Sequence, residues 1–475
     1  MNPLVFSDPA FLFFFAPIAL TGYWVIPAGW RNGFLLIASL LLYAWGEGRY
    51  VGVLAASILI NWLGGVAIAR FEQPHARKLA LIAGVASNLG LLVAFKYATF
   101  LILNLDLLLV ALGMPRLEPP GLRLPAGLSF YTFMGISYLI DLFRRDLDQP
   151  SSPSRVALYL AMFPHLIAGP IVRMTGIGPQ LGLRFWNSES AAAGIRRFVI
   201  GLGKKMLIAN TLATAADAIF ALPSGQIPAS YAWLALVCYT LQIYFDFSGY
   251  SDMAIGLARI IGIQFSENFN YPYVSGSITE FWRRWHMTLS GWLRDYLFFP
   301  LGVRGGPWLV VRNLLIVFSL CGLWHGAAYT FIAWGLWHGL LLSLEQLGLD
   351  RILRRTPAGV QSAYTVTAVA MGWILFRSAS LHYAAGFTKA LIGFGGALPQ
   401  DWVATQFIGP ATFAAIAAGV VGAVPLKPAF ASLQLTPRWR LAAGVAEFAS
   451  LTCVFAAVLA TAAGNTYNPF IYFQF

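Results

Sequence analysis

Two stretches of the chain set histidines among tryptophans and glycines. The first is EFWRRWHMTLSGWLRDYLFFPL, Glu280 to Leu301, which holds His286 with Glu280, Arg283, Arg284, Arg294 and Asp295. The second is NLLIVFSLCGLWHGAAYTFIAWGLWHGLLLSLE, with His325 and His338 inside an apolar-dominated run. An imidazole titrates near working pH, so a positioned histidine can take a hydroxyl proton or carry an acyl group. A third constellation, YFDFSGYSDMAIGLAR, puts Asp246 and Asp252 with Ser248, Tyr250 and Ser251 in an otherwise apolar run from Tyr244 to Arg259. Ionisable groups at membrane depth are rare and mark function by default. Each also has a structural alternative. The arginines read as interfacial cations, His286 and His338 as satisfied core histidines, and Asp246 and Asp252 as carboxylates paired with nearby arginines.

Other chemistries are missing. There is no H-E-x-x-H, no G-x-S-x-G and no complete G-x-G-x-x-G. Cys238, Cys321 and Cys453 are far apart in apolar sequence, with no C-x-x-C, so neither a zinc site nor a disulfide framework is supported. Buried free thiols are expected. His325 and His338 lie thirteen positions apart and point to nearly opposite sides of a straight helix, so they do not read as ligands of one metal.

The elements that position these residues are helices in a membrane. The 475 residues are 58% hydrophobic and only 11% charged, where a soluble protein carries about 25%. Mean hydropathy is +0.69. A helix needs roughly 20 apolar residues to cross a bilayer, and windows of that size give about 9–12 spanning helices. The apolar runs are too continuous for barrel strands. The first, from Phe11, has no basic leader before it and reads as a membrane helix rather than a signal peptide. No linker divides the chain, so residues 1–475 read as one membrane domain, with 244–345 as the block carrying the site.

Net charge is +12. No basic low-complexity arm accompanies it, so nucleic acid is not the expected partner. Basic residues collect in the short loops of membrane proteins. Arg144 with Arg145, Lys204 with Lys205, and Arg351, Arg354 and Arg355 are read that way. An acidic start before the first run, with Arg31 after it, favours an external N-terminus.

On one continuous helix, Trp282, Trp285, Leu289, Trp292, Leu293 and Tyr296 share an arc of roughly 120°, and His286 lies on it. Arg283, Arg284, Arg294 and Asp295 face the other way. A charge at mid-bilayer costs about 2.5–3.5 kcal/mol even on the lenient scale, so this segment lies at the interface or lines a polar interior. The run holding His325 and His338 is long for one crossing. Gly322, Gly326, Gly335 and Gly339 permit close packing or a break in it.

These residues together resemble a family. FDFSGYSDMAIG, ENFNYPY, EFWRRWHMTLSGWLRDYLF and GLWHGAAYTFIAWGLWHG are similar to motifs of the membrane-bound O-acyltransferases, in the bacterial branch of alginate O-acetylation membrane proteins. LPAGLSFYTFMGISYLIDLFRRD, FPHLIAGPIVR, GLGKKMLIAN, LFR and the C-terminal NPFIYFQF extend the likeness over nearly the whole chain. The resemblance implies an all-α polytopic fold, with spanning and interfacial helices around a tunnel through the membrane. It implies an essential histidine at His325 and a second active-site position at His286. Trp324, Trp282, Trp285, Arg283, Arg284, Asp246, Tyr244 and Ser248 are then the expected substrate-binding residues.

What the resemblance implies for function is acetyl transfer in a bacterial inner membrane. The donor substrate is cytoplasmic acetyl-CoA, with no bound cofactor and no metal. The acetyl group passes to a periplasmic acetyltransferase that modifies a polysaccharide: alginate, cellulose, peptidoglycan or another glycan. His325 acts as general base or as acyl carrier. Two other classes stay open on the residues alone: a transporter with Asp246, Asp252, His325 and His338 along its path, and a non-catalytic scaffold.

Overall fold

The computed structural model describes residues 6–182, 184, 186–425 and 437–464. NPFIYFQF lies outside them, as does most of the polar stretch from Leu426 to Arg440. Among the described residues there is helix and no strand. Long apolar runs make helix obligatory, because in lipid every backbone N–H and C=O must be satisfied within the segment. Prolines open several helices, where the missing N–H costs nothing: Pro74, Pro153, Pro307 and Pro410 each stand at a helix start.

The chain forms two compact units, Met1–Ile195 with Ala254–Ser266, and Arg196–Met253 with Glu267–Phe475. The first contains α1 (Phe11–Val25), α2 (Arg31–Glu47), α3 (Val51–Arg70), α4 (Pro74–Leu92), α5 (Ala98–Ala111), α6 (Leu128–Arg144), α7 (Pro153–Ala161) and α8 (Met174–Gly182). Its core is the packing of α3, α4 and α6. Asn61 on α3 and Asn88 on α4, both fully buried, exchange two amide hydrogen bonds at 3.0 Å. Gly135 of α6 gives this pair its room: a Cβ there would sit 2.4 Å from the Asn61 amide. In the same unit, His165 of FPHLIAGPIVR is buried with Nε2 2.8 Å from the Tyr159 carbonyl.

Next along the chain come α9 (Ser188–Gly203), α10 (Asn210–Phe220) and α11 (Ala229–Ile260). The second unit continues with α12 (Ile278–Arg284), α13 (Met287–Leu293), α14 (Pro307–His325), α15 (Tyr329–Leu344), α16 (Asp350–Leu353), α17 (Ala358–Arg377), α18 (Leu381–Lys389), α19 (Pro410–Gly422) and α20 (Pro437–Gly464). Helices α14 and α15 form a tight hairpin, α15 packs on α17, and α12 packs on both α15 and α17.

Among the described residues, five stretches are long and apolar enough to cross a membrane: Ala28–Arg70, Pro74–Ala111, Pro307–His325, Ala358–Arg377 and Leu441–Gly464. Shorter apolar helices are Phe11–Val25 and Pro410–Gly422. Large side chains such as Phe14, Leu41, Leu63, Leu107 and Phe448 point outward, as lipid-facing residues do. The protein is a multi-pass membrane protein.

One open reading is settled and two expectations change. The long run with His325 and His338 is two helices, and both uses of its glycines occur. Gly326 closes α14 in an extended conformation. Gly322 and Gly335 let the hairpin close, because a Cβ on either would lie 2.1 Å from the facing Phe331 or Phe318 carbonyl oxygen. Lys204 and Lys205 are helical rather than in a loop, within a π-helical turn between α9 and α10. Gly201 and Gly249 cross closely, since a Cβ on either would lie 2.6 or 2.7 Å from the other's carbonyl oxygen, and both lysines lie beside carboxylates of α11. Cys238 and Cys321 are buried free thiols, but Cys453 is exposed on α20, a helix that buries little of its surface in the protein.

Candidate active site

The segment from Glu280 to Leu301 starts as the sequence suggests. The Ser277 side chain accepts from Glu280 N–H at 3.1 Å, and Glu280 accepts from Gly276 N–H at 2.9 Å. Ser277 is thus the N-cap, and the Glu280 carboxylate reaches back to the amide one residue before it. Burial disfavours the Glu280 charge, but the Gly276 N–H and the Arg284 guanidinium outweigh it and hold the carboxyl below its ordinary range. Glu345 adds a second cap: it accepts from Ile278 N–H at 2.7 Å, Thr279 N–H at 2.9 Å and Thr279 Oγ1–H at 2.6 Å.

The helix then breaks, which corrects the reading of one continuous amphipathic helix. Arg284 C=O accepts from Asn270 N–H, and Met287 N–H donates to Asn268 C=O, both at 2.9 Å. These backbone groups would otherwise have carried the helix across residues 285–287. His286 takes the left-handed conformation, φ 42°, and opens α13. That conformation is uncommon for a residue with a Cβ and costs on the order of 1–2 kcal/mol.

The break turns His286 inward. Its side chain is fully buried, with Nδ1 3.1 Å from Asn268 Oδ1 and the Phe247 ring edge-on at 4.7 Å. Neither seven-residue helix beside it can span a bilayer. Burial pushes the His286 pKa down to about 3, so the imidazole is neutral at working pH.

His325 is the last residue of α14 and is 6% exposed. Its ring contacts are Trp324 at 4.8 Å, Trp334 at 5.0 Å and Phe376 at 5.2 Å. The Trp324 ring also lies 6.3 Å from the His286 ring. Both imidazoles therefore share one indole as a wall.

His338 serves packing. The Trp282 indole N–H donates to its Nδ1 at 3.3 Å across from α12 to α15, and Trp334 packs on it at 5.0 Å. This is the hydrogen-bonded core histidine that the sequence allowed.

The remaining expected site residues divide into groups. Trp282 and Trp285 are buried: Trp282 lies against Phe318 and His338, and Trp285 against Phe269, Trp373 and Tyr244. Arg283 is exposed, while Arg284 pairs with Glu280 and donates to the Asn270 carbonyl. Asp246 and Ser248 are buried on α11, with Asp246 in an ion pair with Lys205 at 2.6 Å. Asp252 pairs with Arg197 at 2.8 Å and Lys204 at 2.7 Å, so the expected pairing holds, with lysines in place of some arginines. Sequence reasoning named neither Asn268 nor Glu345 as a functional residue. Asn268 sits in ENFNYPY, where an Asn in an aromatic stretch was the available signal.

A mostly apolar cavity of about 340 Å³ lies elsewhere in this unit, lined by Trp233, Thr240, Tyr273, Met371 and Val424 among others. Neither His286 nor His325 lines it.

The membrane-bound O-acyltransferase family model matches residues 131–380, more than half of the chain. The chain is similar to a probable alginate O-acetylase of Pseudomonas putida, 39% identical over 99% of this chain and 100% of the relative. It is also similar to a probable alginate O-acetylase of Pseudomonas aeruginosa, 38% identical over 99% and 100% of the two chains. A peptidoglycan O-acetyltransferase of Helicobacter pylori is 35% identical over 83% of this chain and 80% of its own. By motif, fold and likeness over its full length, the chain belongs to the membrane-bound O-acyltransferase family, in the alginate O-acetylation branch, and is an O-acyltransferase.

Proposed function

We propose that this protein moves acetyl groups from cytoplasmic acetyl-CoA across the bacterial inner membrane for O-acetylation of an extracytoplasmic polysaccharide of the alginate type, through a periplasmic acetyltransferase. The observation that carries the reading is the Trp324 ring in contact with both imidazoles. It supports a reaction centre made by the broken α12–α13 segment and the end of α14, with donor and acceptor meeting there through a tunnel.

In this reading the acceptor hydroxyl oxygen attacks the thioester carbonyl carbon. Its proton passes to His325 as the new C–O bond forms. The C–S bond then breaks, and the proton goes to the departing thiolate. His286 orients the acceptor. Trp324 walls the site, Arg283 meets the anionic donor, and Trp282, Trp285, Tyr244, Asp246, Ser248 and Arg284 support the residues that touch substrate.

The test is acetyl-CoA turnover by purified protein in detergent or lipid, with alginate oligomers or periplasmic extract as acceptor. A positioned base contributes about 10²–10⁴-fold, so His325→Ala is expected to lose that much turnover while remaining folded. Equal turnover in the two proteins would overturn the assignment. Wild-type protein that binds polysaccharide but never consumes acetyl-CoA would favour an export component.

A further inference from the structure

Asn268 is fully buried, and every polar atom of its side chain has a partner. Its Nδ2 donates to Ser251 Oγ at 3.0 Å. Its Oδ1 accepts from Thr288 N–H at 3.3 Å and Thr288 Oγ1–H at 2.9 Å. The same Oδ1 lies 3.1 Å from His286 Nδ1. A main-chain N–H can only donate, so the Thr288 amide decides which end of the Asn268 amide faces this side. The group facing His286 is therefore an oxygen. An oxygen cannot donate, so His286 Nδ1 must carry the hydrogen. In a neutral imidazole the other nitrogen, Nε2, then bears the lone pair.

We propose that Asn268 is a positioning residue that holds His286 as its Nδ1–H tautomer, so that Nε2 accepts a hydrogen bond from the acceptor hydroxyl and does not donate to the oxyanion. This rests on the reading of His286 as part of the reaction centre. The backbone strengthens the assignment. Met287 N–H donates to Asn268 C=O, so the residue that sets the tautomer also holds the left-handed turn that aims the ring. At metal sites, partners that orient a histidine through its second nitrogen typically affect affinity or activity by about 10–100-fold when removed, and an effect of that order is expected here. His338 shows the opposite arrangement in the same unit. There an indole N–H, also an obligate donor, faces Nδ1 and places the hydrogen on Nε2.

The experiment is nitrogen NMR of the full-length protein in lipid with ¹⁵N-histidine, the His286 signals being identified by their loss in His286→Gln. It is paired with steady-state kinetics of Asn268→Ala and Asn268→Asp. Wild type is expected to show a protonated Nδ1 and an unprotonated Nε2. Asn268→Ala is expected to mix the tautomers and lower kcat by about 10–100-fold, with KM for acetyl-CoA little changed. Asn268→Asp keeps an acceptor for His286 and Thr288, and the Ser251 hydroxyl can turn to donate to it. This variant is expected to retain the tautomer and most of kcat, and it keeps the test valid if the alanine variant does not fold. A protonated Nε2 in wild type would overturn the proposal, as would an unchanged tautomer in Asn268→Ala. If Asn268→Ala scrambles the tautomer and leaves kcat intact, the catalytic half of the proposal falls. The placement of His286 at the reaction centre falls with it, while the case for His325 stands on its own turnover test.

Discussion

The Asp246 carboxylate and the Lys205 ammonium meet at 2.6 Å, each side chain only 2% exposed. Removing one partner of a buried pair strands the other charge, at a typical cost of about 3–5 kcal/mol, whereas replacing both with apolar groups is often neutral. Asp246→Leu and Lys205→Met are each expected to fold poorly, and the double substitution to recover the thermal midpoint. Acetyl-CoA turnover in the recovered double variant then separates two roles. Wild-type kcat would make Asp246 a packing residue, and a large loss with normal folding would make it a substrate-binding one.

His338 and His325 sit in the same aromatic setting but are expected to behave differently. His338 already receives the Trp282 indole hydrogen on Nδ1. Its substitution by leucine, which offers no acceptor, should therefore act on stability, by about 1–3 kcal/mol for a buried donor left without its partner. His325→Gln should act on kcat. Thermal midpoints and kcat measured on both variants check this, and a kcat loss in His338→Leu equal to that in His325→Gln would contradict it.

The histidines were legible in the sequence because an imidazole in a greasy run stands out against its neighbours. So was the helical class, because apolar runs of spanning length permit little else. The break at His286 was not. Helical periodicity sees only residues a turn apart, and the groups that end α12 come from Asn268 and Asn270, more than a dozen positions upstream. Lys204 and Lys205 look like loop cations in sequence. What buries one and half-buries the other is the Gly201–Gly249 crossing, a contact between distant helices. Glu345, at the end of an apolar run, reads as an ordinary helix-end charge. Its work is done at the start of another helix. Local pattern showed which residues are chemically able, and non-local hydrogen bonds determine which of them are aimed.

The α14–α15 hairpin depends on two missing Cβ atoms. A methyl on Gly322 or Gly335 would lie 2.1 Å from a backbone carbonyl oxygen, which no side-chain rotation can relieve. Gly322→Ala and Gly335→Ala are each expected to cost about 1–3 kcal/mol or more, the range for overpacking. They should also disturb His325, three residues beyond Gly322. Gly359→Ala, at a glycine with open space around it, is the control and should be nearly silent. Thermal midpoints and yields of folded protein test the contrast, and a well-folded Gly322→Ala would mean the hairpin is looser than its geometry indicates.

Glu345 carries the last prediction. It takes three hydrogen bonds from Ile278 and Thr279 at the start of α12. His286 follows the other end of that short helix by two residues. Helix N-termini leave donors unsatisfied, and a negative group there is favoured by the helix dipole. Glu345→Ala is expected to destabilise by about 1–3 kcal/mol through those stranded donors. Because α12 holds the approach to the break, it should also lower kcat, by up to about 10²-fold if His286 moves by an ångström. Glu345→Gln keeps an acceptor oxygen but loses the charge and one acceptor, so it should fall between wild type and the alanine variant on both scales. If Glu345→Ala kept the wild-type midpoint and lost kcat, Glu345 would be acting on the chemistry directly. If it kept both, α12 would be held by its Ser277 cap and by the aromatic packing of Trp282 and Trp285 alone.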